Sequence, residues 1–126
     1  MTKLSEIYRC NVCGNVVEVL YTGVGELVCC GKPMQLLEEK TQDEFKEKHV
    51  PIVKIEGKNI HIDVGSVPHP MEEKHYIGLI ELRRNGAVIA SASLKPGDRP
   101  AAEFCLGDTS GITARIWCNI HGVWKS

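Results

Sequence analysis

No long hydrophobic run interrupts this sequence. None of its 126 residues falls in a segment approaching the roughly 20 apolar residues that a membrane-spanning helix needs. The opening residues, MTKLSEIYRC, lack the apolar stretch of a signal peptide, so the cytoplasm is the expected compartment. Charge of one sign is lacking too. Fifteen Lys and Arg stand against 16 Asp and Glu, a formal net charge of −1, which removes any general electrostatic reason to expect nucleic acid or an acidic membrane as a partner. Aromatic residues are few, at 6%, and internal repeats and low-complexity tracts are absent. What remains has the composition of a globular protein, 43% hydrophobic and 25% charged, with room for one ordinary domain or a small domain plus a modest second one.

Cysteine is not scarce. Without an export signal the six cysteines are read against a reducing background, where clustered thiols serve as metal ligands or redox groups more often than as disulfides. Cys10, Cys13, Cys29 and Cys30 lie before residue 31, whereas Cys105 and Cys118 come far later, which points to two separate tasks. Residues 1–37 are too few to offset chain entropy by apolar burial, and units below ~40 residues usually need a metal, disulfides or a partner. Within them Val16–Tyr21 reads as a strand, Thr22-Gly23-Val24-Gly25 as a turn, and Lys32 and Pro33 as turn residues.

C-x-x-C followed by a second pair after fifteen residues is a strong signal for zinc or iron. Because Cys29 and Cys30 are adjacent, both reach one ion only if the backbone bends between them. Spacing alone leaves zinc and iron at even odds, with a vicinal disulfide the weakest alternative.

A charged stretch, Glu38 to Lys48, then marks a domain boundary; Thr41 and Glu44 fit a capping box, and a solvated linker fits equally. From residue 50 onward the pattern has period two. Ile60, Ile62 and Val64 alternate with Asn59, His61 and Asp63; Val88, Ala90, Ala92 and Leu94 with Ile89, Ser91 and Ser93; and Ile112, Ala114 and Ile116 with Thr113, Arg115 and Trp117. Asn85-Gly86 between two such runs is a hairpin signal. Short strands at this spacing, without a long helix, predict an antiparallel β-sandwich over residues 38–126.

Five histidines occur: His49, His61, His69, His75 and His121. His49 stands at a loop-to-strand junction, His69 between Pro68 and Pro70, and His75 just before a strand. Cys118 and His121 form C-x-x-H after the last alternating run. Strand ends and loops are where functional groups concentrate. His61 alternates with apolar strand neighbours and is expected to face solvent, and Cys105 is expected to be a buried strand residue. If the other four histidines converge with Cys118, they make a five-donor site with one position open. That exceeds what structural zinc takes and suits iron, with the thiolate pushing electron density toward whatever binds opposite. An electron-transfer protein or a zinc-dependent interaction module would use the front cysteines but not this open set. Disulfide exchange is weaker still, because Cys10-x-x-Cys13 is not set in a βαβ pattern.

Cys10-Asn11-Val12-Cys13-Gly14-Asn15 and Gly25-Glu26-Leu27-Val28-Cys29-Cys30 resemble the desulforedoxin-like domain of desulfoferrodoxins. Glu47-Lys48-His49-Val50-Pro51, His69-Pro70-Met71-Glu72-Glu73-Lys74-His75-Tyr76-Ile77, Leu94-Lys95-Pro96-Gly97-Asp98 and Cys118-Asn119-Ile120-His121-Gly122 resemble the catalytic domain of superoxide reductases. The resemblance runs in order along essentially the whole chain. It implies an iron tetrathiolate domain in front, an immunoglobulin-like sandwich behind, and a homodimer. It further implies a catalytic iron with His49, His69, His75 and His121 as equatorial ligands and Cys118 axial. Glu47 is implied as the carboxylate that fills the sixth position in the oxidised resting state, and Lys48 as the cation that draws in superoxide and helps deliver a proton. Rubredoxin is implied as electron donor. One departure stands out: where the family often has a tryptophan two positions after His-Tyr-Ile, this chain has Gly78-Leu79, so altered packing near the site is expected.

Overall fold

The computed structural model describes residues 1–41 and 49–126. Its named elements are all β-strands, and the chain divides into two compact units, Met1–Glu38 and Glu39–Ser126. Among the described residues no helix is long and apolar enough to cross a membrane.

In the first unit, β1 (Ile7–Arg9), β2 (Val16–Glu18) and β5 (Gln35–Leu36) form an antiparallel sheet in the order β2-β1-β5, beside a two-stranded hairpin of β3 (Val28–Cys29) and β4 (Lys32–Pro33). The strand expected over Val16–Tyr21 is shorter than that. Val19 is still tied to the N-terminal segment, its N–H donating to the Glu6 carbonyl at 2.9 Å and its carbonyl accepting from the Ser5 N–H at 2.9 Å. Ser5, at φ 67°, then turns that segment away, and Leu20 and Tyr21 run on into solvent. Lys32 and Pro33 are also not turn residues. The turn is Cys30-Gly31, both at positive φ (53° and 74°), and Lys32 returns to pair with Cys29. The buried apolar residues of this unit are Ile7, Cys10 and Val19, far short of a self-sufficient core.

The second unit is built from β6 (Glu39–Lys40), β7 (Pro51–Glu56), β8 (Asn59–Val64), β9 (Ile77–Arg84), β10 (Ala87–Ser93), β11 (Ala101–Cys105), β12 (Ile112–Cys118) and β13 (Gly122–Lys125). A five-stranded sheet has the order β10-β9-β12-β13-β6, antiparallel except for the last pair, and a three-stranded sheet has the order β11-β8-β7. The period-two runs fold as read. Ile60, Ile62 and Val64 of β8 are buried, and they share one apolar cluster with Ile77, Ile80, Leu82, Ala114, Ile116 and Trp124 of the larger sheet. The β9–β10 hairpin turns on Asn85 and Gly86 at φ 53° and 79°, as that dipeptide predicts.

Cys105 departs from expectation: it is exposed. Phe104 takes the core-facing position on edge strand β11, so alternation sends Cys105 to the outer face with Glu103. The far side of β12 also differs from a simple solvated face. Arg115 and Glu81 are both buried there and paired at 2.6 Å, and Arg115 reaches Glu39 at 3.0 Å.

Pairing of β9 with β12 shifts register near its end, where Trp117 faces Leu79 but Cys118 faces Ile77. The extra residue is Gly78, and the Trp117 ring lies so close that a Cβ there would sit 2.4 Å from it. The family's tryptophan is absent from β9, and the indole near this place comes from β12. This irregular end of the sheet carries the histidine loop on one strand and Cys118 on the other.

Candidate metal centres

Four sulfurs gather in the first unit, with Cys10, Cys13, Cys29 and Cys30 Sγ all within 4.8 Å of one another. The knuckle at Cys10 explains how. Gly14 N–H closes a turn onto the Cys10 carbonyl at 2.9 Å, and the N–H groups of Val12 and Cys13 both point at Cys10 Sγ at 3.4 Å. Those amides draw the Cys10 thiol down to about 6. Across the site, Cys30 occupies a left-handed backbone position that an L-residue adopts at a cost on the order of 1 kcal/mol. That bend brings adjacent side chains together, with Cys29 Sγ 3.9 Å from Cys30 Sγ and 3.6 Å from Cys13 Sγ. The neighbouring sulfurs push the Cys30 thiol up to about 12 and raise that of Cys29. Four thiolates this close repel one another unless a cation sits among them, and an all-sulfur tetrad suits iron or zinc. The residues therefore fit a tetrathiolate metal.

The second cluster is made of His49, His69, His75, Cys118 and His121, whose ligand atoms also lie within 4.8 Å of one another. The imidazoles close a square. Ring centroids are 4.9 Å apart for His49–His69, 4.6 Å for His69–His75, 5.0 Å for His75–His121 and 4.6 Å for His121–His49, each pair steeply inclined at 67° to 79°. Cys118 Sγ lies 3.6 Å from His69 Nε2 and 3.8 Å from His121 Nδ1. Those are opposite corners, so the sulfur caps the square and is not a fifth corner of it.

Local sequence sets each donor. A carbonyl can only accept, so the 2.7 Å contact from His69 Nδ1 to the Pro70 carbonyl puts the ring hydrogen on Nδ1 and turns the Nε2 lone pair inward. Burial, with the other three imidazoles nearby, holds His69 down to about 4, which keeps it in the neutral form a metal needs. His121 enters through a different atom, because the Cys118–His121 turn brings its Nδ1 to 3.0 Å from His49 Nε2. Cys118 is fully buried, which raises its thiol. The N–H groups of His121 and Ile120 and the positive charge of Lys40 pull the other way.

Three supporting residues had been given no role from sequence. Asn119 accepts from the Tyr76 N–H at 2.9 Å and donates to the Lys74 carbonyl at 3.1 Å, joining the His75 loop to the Cys118 turn. Trp124 stacks on His49 and donates from Nε1 to the His121 carbonyl at 3.1 Å. Lys40 donates to the same carbonyl at 2.9 Å. Asn119 lies inside the Cys-Asn-x-His motif, where its place between Cys118 and His121 was the available signal. Nothing in the sequence links Lys40 or Trp124 to the histidines. His61 stays outside the cluster, facing outward between Asp63 at 2.9 Å and Glu103 at 3.2 Å. Glu47 and Lys48 lie outside the described residues.

The family profile described as desulfoferrodoxin matches residues 41–126, and the one described as desulfoferrodoxin, N-terminal domain, matches residues 2–37. This chain belongs to the desulfoferrodoxin family. A desulfoferrodoxin homolog from Archaeoglobus fulgidus is 54% identical over 126 residues, covering 100% of this chain and 99% of that one. Among solved structures, the superoxide reductase from Treponema pallidum superposes with a TM-score of 0.74 at 25% identity, covering 96% of this chain and 95% of that one. The superoxide reductase from Giardia intestinalis has a TM-score of 0.58 at 36% identity. It covers 64% of this desulfoferrodoxin but 96% of its own chain, so it is the likeness of a protein lacking part of this one. The four-cysteine cluster and the cluster of four histidines with one cysteine are the donor sets that a tetrathiolate iron and a non-haem catalytic iron require in a desulfoferrodoxin.

Proposed function

We propose that this desulfoferrodoxin is a superoxide reductase, adding one electron and two protons to superoxide to give hydrogen peroxide. The observation that carries the reading is the closed square of four imidazoles capped by a single buried cysteine. Cys118 caps one face of the square, which among the described residues leaves the other for a small substrate, and the names of the Treponema and Giardia relatives give the reaction class. These five residues would hold a ferrous iron, which when bound would supply the electron, with the Cys118 thiolate as an electron-rich donor to it.

The protein's own part is to hold the donors still. His49, His69, His75, His121 and Cys118 are the ligands, fixed by Trp124, the Pro70 carbonyl and Asn119. A preorganised donor set has little to rearrange when charge changes by one. Lys48, immediately before His49, attracts the superoxide anion and passes a proton to the product. Glu47 closes the substrate position in the resting oxidised state. Sequence adjacency and the family resemblance support both roles.

Reduction consumes an electron per turnover, so an external donor is needed, and the resemblance makes it a rubredoxin. Cys10, Cys13, Cys29 and Cys30 hold a second iron whose first service is to the fold of residues 1–37. Residues 38–126 form the catalytic domain, an immunoglobulin-like sandwich, a reading supported by one apolar cluster drawing on both sheets. A homodimer in the cytoplasm completes the reading. Leu20, Tyr21 and Val24, exposed at 73%, 93% and 90%, offer apolar surface of the kind a partner copy covers.

The test is stoichiometric. Protein purified from iron-replete cells should hold about two irons per chain, and superoxide pulses in the presence of reduced rubredoxin should yield one hydrogen peroxide for each superoxide consumed. A yield of half that with no donor oxidised would mean dismutation. Iron-loaded protein that leaves superoxide untouched would end the proposal.

A further inference from the structure

We infer that Lys40 is a positioning residue of the histidine–cysteine centre, a fixed cation that braces the Cys118–His121 turn and holds up the reduction potential of the metal bound there. The inference rests on the superoxide reductase reading for the identity of that metal, and on four contacts for the rest.

Lys40 lies on β6, the short strand that pairs in parallel with β13, in register with Trp124. Its Nζ donates to the His121 carbonyl at 2.9 Å and stands 5.0 Å from the centre of the Trp124 ring. Trp124 Nε1 donates to the same carbonyl at 3.1 Å, and its ring stacks on His49 at 4.9 Å with planes inclined by only 20°. One ammonium therefore meets two of the four imidazole-bearing corners, His121 through its carbonyl and His49 through the indole. Charge-assisted hydrogen bonds are roughly twice as strong as neutral ones, and a cation near an indole adds attraction.

Successive residues of a strand point to opposite faces, and the adjacent Glu39 carboxylate is taken up by Arg83, Arg115 and Lys125. No carboxylate among the described residues pairs with Lys40. A fixed positive charge disfavours whichever oxidation state is the more positive, so Lys40 opposes the ferric form.

The experiment uses the full chain with both irons, comparing the parent with Lys40→Gln and Lys40→Arg. The readout is the ferrous-to-ferric ratio of the iron at the histidine–cysteine centre across a redox titration, followed by its thiolate absorption. Glutamine carries no charge and presents an amide donor one atom short of the lysine nitrogen; arginine keeps both a charge and a donor. At a fixed poise the Gln variant should hold several-fold more ferric iron than the parent, the order expected for one charge several ångströms away at effective dielectrics between those of protein surface and water. The Arg variant should titrate near the parent. The Lys40 side chain is exposed, so all three proteins should fold, and thermal melts of the iron-loaded proteins check this. If the Gln variant titrates with the parent, or if both variants shift equally, the role assigned to Lys40 is wrong while the superoxide reductase reading stands. If the parent itself takes up no iron at this site, both fall together.

Discussion

Trp124 stacks against His49 with ring centroids 4.9 Å apart, whereas His69 and His121 meet the same ring edge-on. Trp124 also belongs to the apolar cluster shared by both sheets, so the histidine square is built directly onto the core. Trp124→Phe keeps a flat ring behind His49 but loses the bond to the His121 carbonyl and part of the buried indole, which together should cost about 1–2 kcal/mol of unfolding free energy. Trp124→Ala opens a cavity and should cost about 3–5 kcal/mol. Urea unfolding of the two variants should separate these values. Equal losses would mean that the hydrogen bond, not the ring, holds the site's rear wall.

Gly78 is the second packing relationship close to the site. A Cβ at this position would lie 2.4 Å and 2.7 Å from carbons of the Trp117 ring, and the ring cannot give way as a flexible side-chain end would. Gly78→Ala should therefore destabilise by about 1–3 kcal/mol, the usual range for overpacking. Trp117→Phe removes the carbons that would clash. Combined with Gly78→Ala, it should cost less than the sum of the two single changes. A double-mutant cycle by thermal melting measures the coupling, and strict additivity would disprove the contact.

Much of this was legible before any coordinates. Alternation along β8 and β12 gave buried positions and along β10 half-buried ones, and Asn85-Gly86 gave a turn, because both signals are local. The C-x-x-C and C-x-x-H spacings marked sulfurs that do converge, since a turn of two intervening residues leaves the flanking side chains little choice. His49, His69, His75 and His121 stood out as candidates by their places at strand ends and in loops, but their convergence was implied only by resemblance, as they lie far apart along the chain and no spacing rule closes such a loop. What failed was local chemistry under tertiary control. Lys32 and Pro33 looked like a turn, but the turn had already been made by Cys30 in an unusual backbone conformation. Cys105 looked apolar enough to bury, but Phe104 held the inward place on its strand. Lys40 and Trp124 carry no motif, and their part depends on a parallel strand pair that sequence does not announce.

Acid should find the second unit through Glu39. Burial raises this carboxyl, but the guanidiniums of Arg83 and Arg115 lower it by more, leaving it below its ordinary value. A group whose folded-state pKa is depressed contributes stability above its unfolded pKa and loses it as pH falls through the folded one. Stability should therefore decline on acidification below the ordinary carboxylate range. Glu39→Gln should flatten that part of the curve and cost about 1.5–3 kcal/mol at neutral pH, the value of hydrogen bonds to charged groups. Parallel acid limbs in parent and variant would assign the decline to other carboxylates.

Metal removal should divide the molecule at its two units. The first has Ile7, Cys10 and Val19 as its buried apolar residues, and its strands are only two or three residues long. Its order is thus expected to depend on an ion among Cys10, Cys13, Cys29 and Cys30, because binding energy at such a site is folding energy. Chelation under reducing conditions should free the amides of Cys10, Val19 and Leu37, now bonded at 2.8–2.9 Å to Asn15, Glu6 and Ile7 carbonyls. The amides of β9 and β12, central in the five-stranded sheet and packed on the apolar cluster, should stay protected. Hydrogen exchange read peptide by peptide distinguishes the outcomes. If the first unit keeps its protection without metal, its sulfurs are not what holds it together. Loss of protection throughout would mean instead that the histidine–cysteine site also contributes to folding, with β12 unable to keep its place once Cys118 and His121 lose their shared ion.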